Sequence, residues 1–164
     1  MADEKRRAGD MIVDPAELPV ESGTPYPAPH DQIVKGRHRS RLSPPLGLTK
    51  FGVNVLRIEP GAQSSARHWH SKQDEFVYVL EGEATLVTDE GDTVLTAGMA
   101  AGFPAGNPNG HAIVNRSNAD LLVLEVGDRP VDEDVTYPDI DMANAVRGGK
   151  PNFIRKDGSS FDKD

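Results

Sequence analysis

From Phe51 onward the chain is a succession of short runs rich in Val, Leu, Ile, Phe and Thr: FGVNVLRI, EFVYVLEG, EATLVT, DTVLTAG, HAIVN and LLVLEV. Turn compositions separate them, namely EPGA, DEGD, PAGNPNG and RSNAD. No run of 3.6-residue periodicity intervenes, so the pattern requires antiparallel strands closed into a β sandwich or barrel. Glycine and proline, 16 and 13 of 164 residues, supply the turns such a fold needs and disfavour a helical bundle. A short helical turn is expected only at DIDMANAV (139–146), and one further strand at Asn152–Arg155.

Residues 1–45 read differently. They are polar, aperiodic and dotted with prolines, each of which fixes φ and removes a backbone donor. An extended N-terminal arm is expected there, then a barrel over 46–130 and a C-terminal extension over 131–164 that packs on it. Within the arm, Lys35, Arg37, Arg39 and Arg41 alternate with other residues. They read either as an anion-binding strip or as a solvated loop or edge strand whose charges discourage sheet pairing, and the second reading is preferred.

Charge narrows the function classes. With 26 acidic and 18 basic side chains the net charge is −8, the wrong sign for a nucleic-acid partner. No apolar run approaches the roughly 20 residues of a membrane-spanning helix. The start, MADEKRRAGD, lacks the apolar stretch of a signal peptide, so a cytoplasmic location is expected. Without cysteine there is no disulfide framework, thiolate nucleophile or sulfur-based metal site.

Three of the five histidines carry the chemistry. His68 and His70 stand one residue apart in ARHWHS, so on a strand both imidazoles project from one face while Arg67, Trp69 and Ser71 project from the other. If the chain turns back through Ser71–Asp74, Glu75 returns beside them, and His111 opens another strand after GNPNG. Three imidazoles and one carboxylate suit a divalent first-row metal: Mn, Fe, Co, Ni, Cu or Zn. Strand parity with Glu75 turns Val77 and Val79 inward, and parity with His111 turns Ile113 and Asn115 the same way, making these four the candidate pocket lining. Phe76, Tyr78 and Leu80 then face outward, where a second copy is expected to cover them in a homodimer. His30 and His38 have no partners at ligand spacing.

Gly61–x6–His68–x–His70–x4–Glu75–x6–Gly82 resembles the first cupin motif, and Gly98–x5–Pro104–x–Gly106–x4–His111–x3–Asn115 the second. The usual forms have one residue fewer before the first His and two fewer before the last, and both insertions fall in turns, where length costs little. GLTKFGVNVLRIEPGA and RHWHSKQDEFVYVLEGE look more closely like a bacterial group of single-domain cupins labelled sugar-phosphate isomerases. The resemblance implies an all-β jelly-roll barrel (a double-stranded β-helix) holding a metal through His68, His70, Glu75 and His111.

Two functions of different class follow. One is a metalloenzyme acting on a small carbonyl, hydroxy or carboxylate compound, by oxygenase or isomerase chemistry. The other is a non-catalytic barrel that binds or senses a small ligand. An isomerase handling phosphosugars needs a base near the metal and Arg or Lys inside the pocket. Neither is evident, because Glu75 is committed as a ligand and Arg67 and Arg116 face outward, which leaves loops from the arm as the source of either group.

Overall fold

The structure, a computed structural model, describes residues 8–161. Its strands, in chain order, are β1 (Val20–Ser22), β2 (Arg37–Arg41), β3 (Phe51–Ile58), β4 (Trp69–His70), β5 (Glu75–Glu81), β6 (Glu83–Thr88), β7 (Gly91–Thr96), β8 (Ala100–Phe103), β9 (Ala112–Val114), β10 (Leu121–Asp128), β11 (Glu133–Thr136), β12 (Ala143–Val146) and β13 (Phe153–Ile154). Short 3₁₀ turns at Ala8–Met11, Pro15–Glu17 and His30–Val34 are the helical elements among the described residues. No helix among them is long and apolar enough to cross a membrane.

One layer is a six-stranded antiparallel sheet in the order β1-β2-β3-β10-β5-β8. Facing it are two smaller sheets, β7-β6-β9 and β13-β12-β11-β4. Isolated bridges Gln63–Val114 and His68–His111 join these two, so the second layer is continuous through the segment leading into β4. The expected jelly-roll architecture is present.

Register across the large sheet decides what faces the interior. Arg37, Arg39 and Arg41 of β2 stand opposite Ile58, Leu56 and Asn54 of β3, which stand opposite Leu121, Val123 and Glu125 of β10. Beyond β10, Val123 meets Val79, Glu125 meets Val77 and Gly127 meets Glu75. One end of this inner lattice is therefore apolar, where Leu56, Ile58, Val79, Leu121 and Val123 are wholly buried together. Each such side chain contributes about 1.5–3 kcal/mol by leaving water. The other end carries Asn54, Glu125 and Glu75. Gly82, in the turn from β5 to β6, holds φ +85°, and a Cβ there would meet the Asp120 carbonyl oxygen at 2.8 Å.

A second cluster ties both ends of the chain to the barrel. Ala66, Val135, Tyr137 and Met142 are buried together, with Tyr26 of the arm and Phe153 of β13 against them. The Tyr26 ring meets Tyr137 and Phe153 edge-on at 5.6 Å each.

Two expectations are corrected. Residues 139–146 do not form a helical turn; Ala143–Val146 is strand β12, paired with β11 and β13 and burying Met142 and Asn144 alongside. Tertiary pairing overrides the modest helix propensity of Ala and Met in so short a segment. The basic run of the arm is neither solvated loop nor edge: β2 lies between β1 and β3, with Arg37 buried.

Candidate metal centre

Backbone pairing brings the candidate ligands together from both layers. His68 and His111 face each other through mutual backbone bonds, His68 N–H to His111 O at 3.1 Å and the reverse at 2.8 Å. His70 follows in β4, paired with Val135, and Glu75 opens β5 between Gly127 and Phe103. Their side chains meet at one atom. Glu75 Oε2 lies 2.8 Å from His111 Nε2, 3.3 Å from His68 Nε2 and 3.4 Å from His70 Nε2.

The far side of each ring fixes which nitrogen faces inward. His68 Nδ1 donates to the Ala66 carbonyl oxygen at 2.9 Å, and His70 Nδ1 to the Glu133 carboxylate at 3.1 Å. A carbonyl and an ionised carboxylate can only accept, so both Nδ1 atoms carry a proton and it is the Nε2 atoms that face Glu75. The His111 ring stacks on Phe103, centroids 3.6 Å apart and planes 1° from parallel, and its buried Nδ1 has no hydrogen-bond partner.

Such an arrangement requires positive charge at its centre. Burial draws the His70 pKa down, but hydrogen bonds to Glu133 and Glu75 outweigh it and carry the pKa up to about 9. Burial pushes the Glu75 carboxyl up, yet the imidazoles of His111 and His68 hold it well below the usual carboxylate range. His111 is lowered, chiefly by its own burial. A proton on His70 and a metal ion compete for the same lone pair. The residues fit a metal: ligand atoms of His68, His70 and Glu75 all lie within 4.8 Å of one another, and nitrogen with oxygen is the donor set of first-row divalent ions.

The centre opens into two contiguous chambers. The inner, about 290 Å³, is lined by His68, His70, Glu75 and His111 together with Arg37, Arg39 and Glu125. The outer, about 460 Å³, shares His68, His70, Glu75, Arg39 and Glu125 with it and adds Arg41, Arg129 and Glu133.

Val77 and Ile113 line the inner chamber. Val79 lies deeper, in the apolar core. Asn115 closes a turn, donating from Nδ2 to the Ile58 and Ala119 carbonyls and accepting from Ser117. Arg67 and Arg116 do face outward, pairing with Asp89 and Asp139 and with Asp92 respectively. His38 is taken up by Ser22 and Glu59.

The chamber does carry arginine and a second carboxylate, the arginines from the arm and the carboxylate from the barrel. β2 supplies Arg37 and Arg39, β10 supplies Glu125, and Glu133 reaches His70 from β11. The signal for the arginines was present in the sequence: Arg-x-Arg-x-Arg is strand periodicity, which puts all three on one face. Glu133 had no local signature, since its role depends on β11 pairing with β4.

The chain is similar to known proteins. A cupin domain model matches residues 54–127. A structure from Silicibacter pomeroyi, named a sugar phosphate isomerase from a cupin superfamily, is 43% identical with TM-score 0.88, covering 92% of this chain and 96% of its own. One from Acidithiobacillus ferrooxidans, named by inference a sugar phosphate isomerase, is 27% identical with TM-score 0.68, covering 77% and 82%. One from Thermotoga maritima, named a predicted oxalate decarboxylase, is 24% identical with TM-score 0.57 over 72% and 98%, a likeness of fold. No protein of curated function matches the chain. The motif residues, the two-layered barrel and the Silicibacter pomeroyi relative all lead to one family: the chain belongs to the cupin superfamily.

Proposed function

We propose that the protein is a metal-dependent enzyme acting on a small hydroxy-carbonyl compound, with chemistry of isomerase type. The observation that carries this reading is the convergence of three Nε2 atoms on Glu75 Oε2 inside a chamber that holds a second carboxylate, Glu125. His68, His70, Glu75 and His111 hold the ion. When bound, a divalent ion supplies Lewis acidity, polarising a substrate oxygen and making the adjacent C–H more acidic.

The other roles belong to the chain. Ala66 O and Glu133 lock the tautomers of His68 and His70, so their lone pairs stay aimed at the centre. Glu125 is the base. Asn54 Nδ2 donates to its Oε1 at 3.0 Å and orients the carboxylate, leaving Oε2 to take a proton from one substrate carbon and return it to the next. Leu56, Val77 and Val123 form the apolar wall that limits water at the reacting carbons. The name of the Silicibacter pomeroyi relative supports an isomerase over an oxygenase.

Metal analysis of protein purified without chelator or a metal-affinity step tests the centre. About one equivalent of divalent metal is expected in the parent, and His68→Ala or His111→Ala should lose most of it. Incubation with small aldoses and ketoses in D₂O tests the reaction. Deuterium at the carbon next to the carbonyl is expected with the parent and is lost in Glu125→Gln, whose metal content stays intact. Equal metal in parent and ligand variants would refute the centre. Stoichiometric iron without deuterium exchange would refute the isomerase reading in favour of oxygenase chemistry.

A further inference from the structure

Strand β2 comes from outside the region that carries the metal motif, yet it sends a row of guanidinium groups toward the chamber. The three arginines are not equivalent. Arg37 is committed to the backbone, donating from Nη1 to the Ser64 carbonyl and from Nη2 to that of Gly23, each at 2.7 Å. It fastens the arm to the barrel. Arg41, at the exposed end of the strand, pairs with Glu21 at 2.9 Å. Arg39, between them, forms no ion pair among the described residues, and its Nε is buried without a hydrogen-bond partner. It lines both the inner and the outer chamber, on the walls that also carry His68, His70 and Glu75.

A half-buried guanidinium with an unmatched donor is expensive unless an acceptor arrives. Glu125, the other chamber carboxylate, takes its bond from Asn54 and forms no ion pair with Arg39. The charges of the inner chamber point the same way. Arg37 and Arg39 offset Glu75 and Glu125, so the lining carries no net negative charge to repel an oxyanion. Arg39 lines the same inner chamber as the four candidate ligands, so one small molecule can touch both. A chamber of about 290 Å³ admits a molecule of that size.

We infer that Arg39 is the anion-binding residue of the site: it grips the phosphate or carboxylate head of the substrate while the other end of the molecule reaches the His/Glu centre. The inference rests on the proposed function only for that second end. The fork of a guanidinium binds either oxyanion through paired N–H···O bonds, which an ammonium group cannot copy. The substrate class is therefore a short hydroxy-carbonyl compound bearing a terminal oxyanion, and the arm selects it.

Calorimetric titration of the purified protein with inorganic phosphate and, separately, with acetate tests the subsite. The parent should bind at least one of them. Tighter phosphate binding identifies a phosphorylated substrate, and equal or tighter acetate binding a carboxylated one. Arg39→Met should weaken that binding about tenfold or more, with metal content unchanged. Arg39→Lys, which keeps the charge and protects against a folding defect, should fall between. Arg57→Met, on the outer face, should bind as the parent does. In His68→Ala phosphate affinity should stay within about threefold, so a failure of the metal reading leaves this one standing. The inference is overturned if the parent binds neither anion, if Arg39→Met binds as tightly as the parent, or if His68→Ala loses the anion as fully as Arg39→Met does.

Discussion

Asn115 is wholly buried and its amide satisfies three backbone groups, so its removal has a calculable consequence. Nδ2 donates to the Ile58 and Ala119 carbonyls at 2.8 Å each, and Oδ1 accepts from Ser117 N at 3.0 Å and Ser117 Oγ at 2.7 Å. In Asn115→Ala these bonds vanish unequally. Ile58 is fully buried, so losing that bond costs the desolvation of a carbonyl, roughly 1–3 kcal/mol. Ala119 O keeps a bond from Ser117 Oγ and the Ser117 amide lies nearer solvent, which limits those losses to about 0.5–1 kcal/mol each. The sum is about 3 kcal/mol. Asn115→Asp should cost at least as much, because it sets carboxylate oxygens against two carbonyls. Urea unfolding followed through Trp69, the single tryptophan, measures this as a lower midpoint at unchanged slope. In a chain of this length it corresponds to a melting point lower by about 6–12 °C. A loss below about 1 kcal/mol would refute the assigned role, and a normal melting point with lost ligand binding would make Asn115 a pocket residue instead.

Glu133→Gln should weaken metal binding by about 10–100-fold with little change in fold, read by competition with a chromophoric chelator, because the His70 tautomer loses its carboxylate acceptor. Gly82→Ala should destabilise by about 2 kcal/mol or more in the same urea assay, since positive φ and a 2.8 Å approach to Asp120 O leave no room for a methyl group. Asp139 is held below its ordinary carboxylate pKa by hydrogen bonds from Arg67 at 2.7 and 2.8 Å. A depressed carboxyl stabilises above its unfolded pKa, so the melting-point gap between the parent and Asp139→Asn should be full at pH 7 and close as pH falls below about 4. The outer face of β5 exposes Phe76, Tyr78 and Leu80, and sedimentation equilibrium should find a dimer that Tyr78→Glu splits, whereas a monomeric parent would refute the interface.

Where the sequence has a strong local period, it matches the structure closely. FGVNVLRI is β3 from end to end, EATLVT is β6, and the ligand atoms of His68, His70 and Glu75 lie within 4.8 Å of one another. What escaped depends on distant pairing. β8 is AAGF, without a branched residue, and exists because β5 offers it an edge. β12 reads as helix in isolation and becomes a strand between β11 and β13. Arg39 carries the right period, but its charge argued for solvent, and charge proved the weaker guide once β2 was enclosed by neighbours on both sides.

The stretch matched by the cupin model, 54–127, contains all four candidate ligands but stops short of both β2 and β11. Two instructions are thus written in separate parts of the gene. One carries the four candidate ligands; the other, in the flanks, carries side chains that reach toward them, Arg39 and Glu133. A change in the flanks can alter what the chamber admits while the matched stretch stays untouched. Arg39 in β2 is one such flank position, and exchanging it tests the idea without touching a candidate ligand.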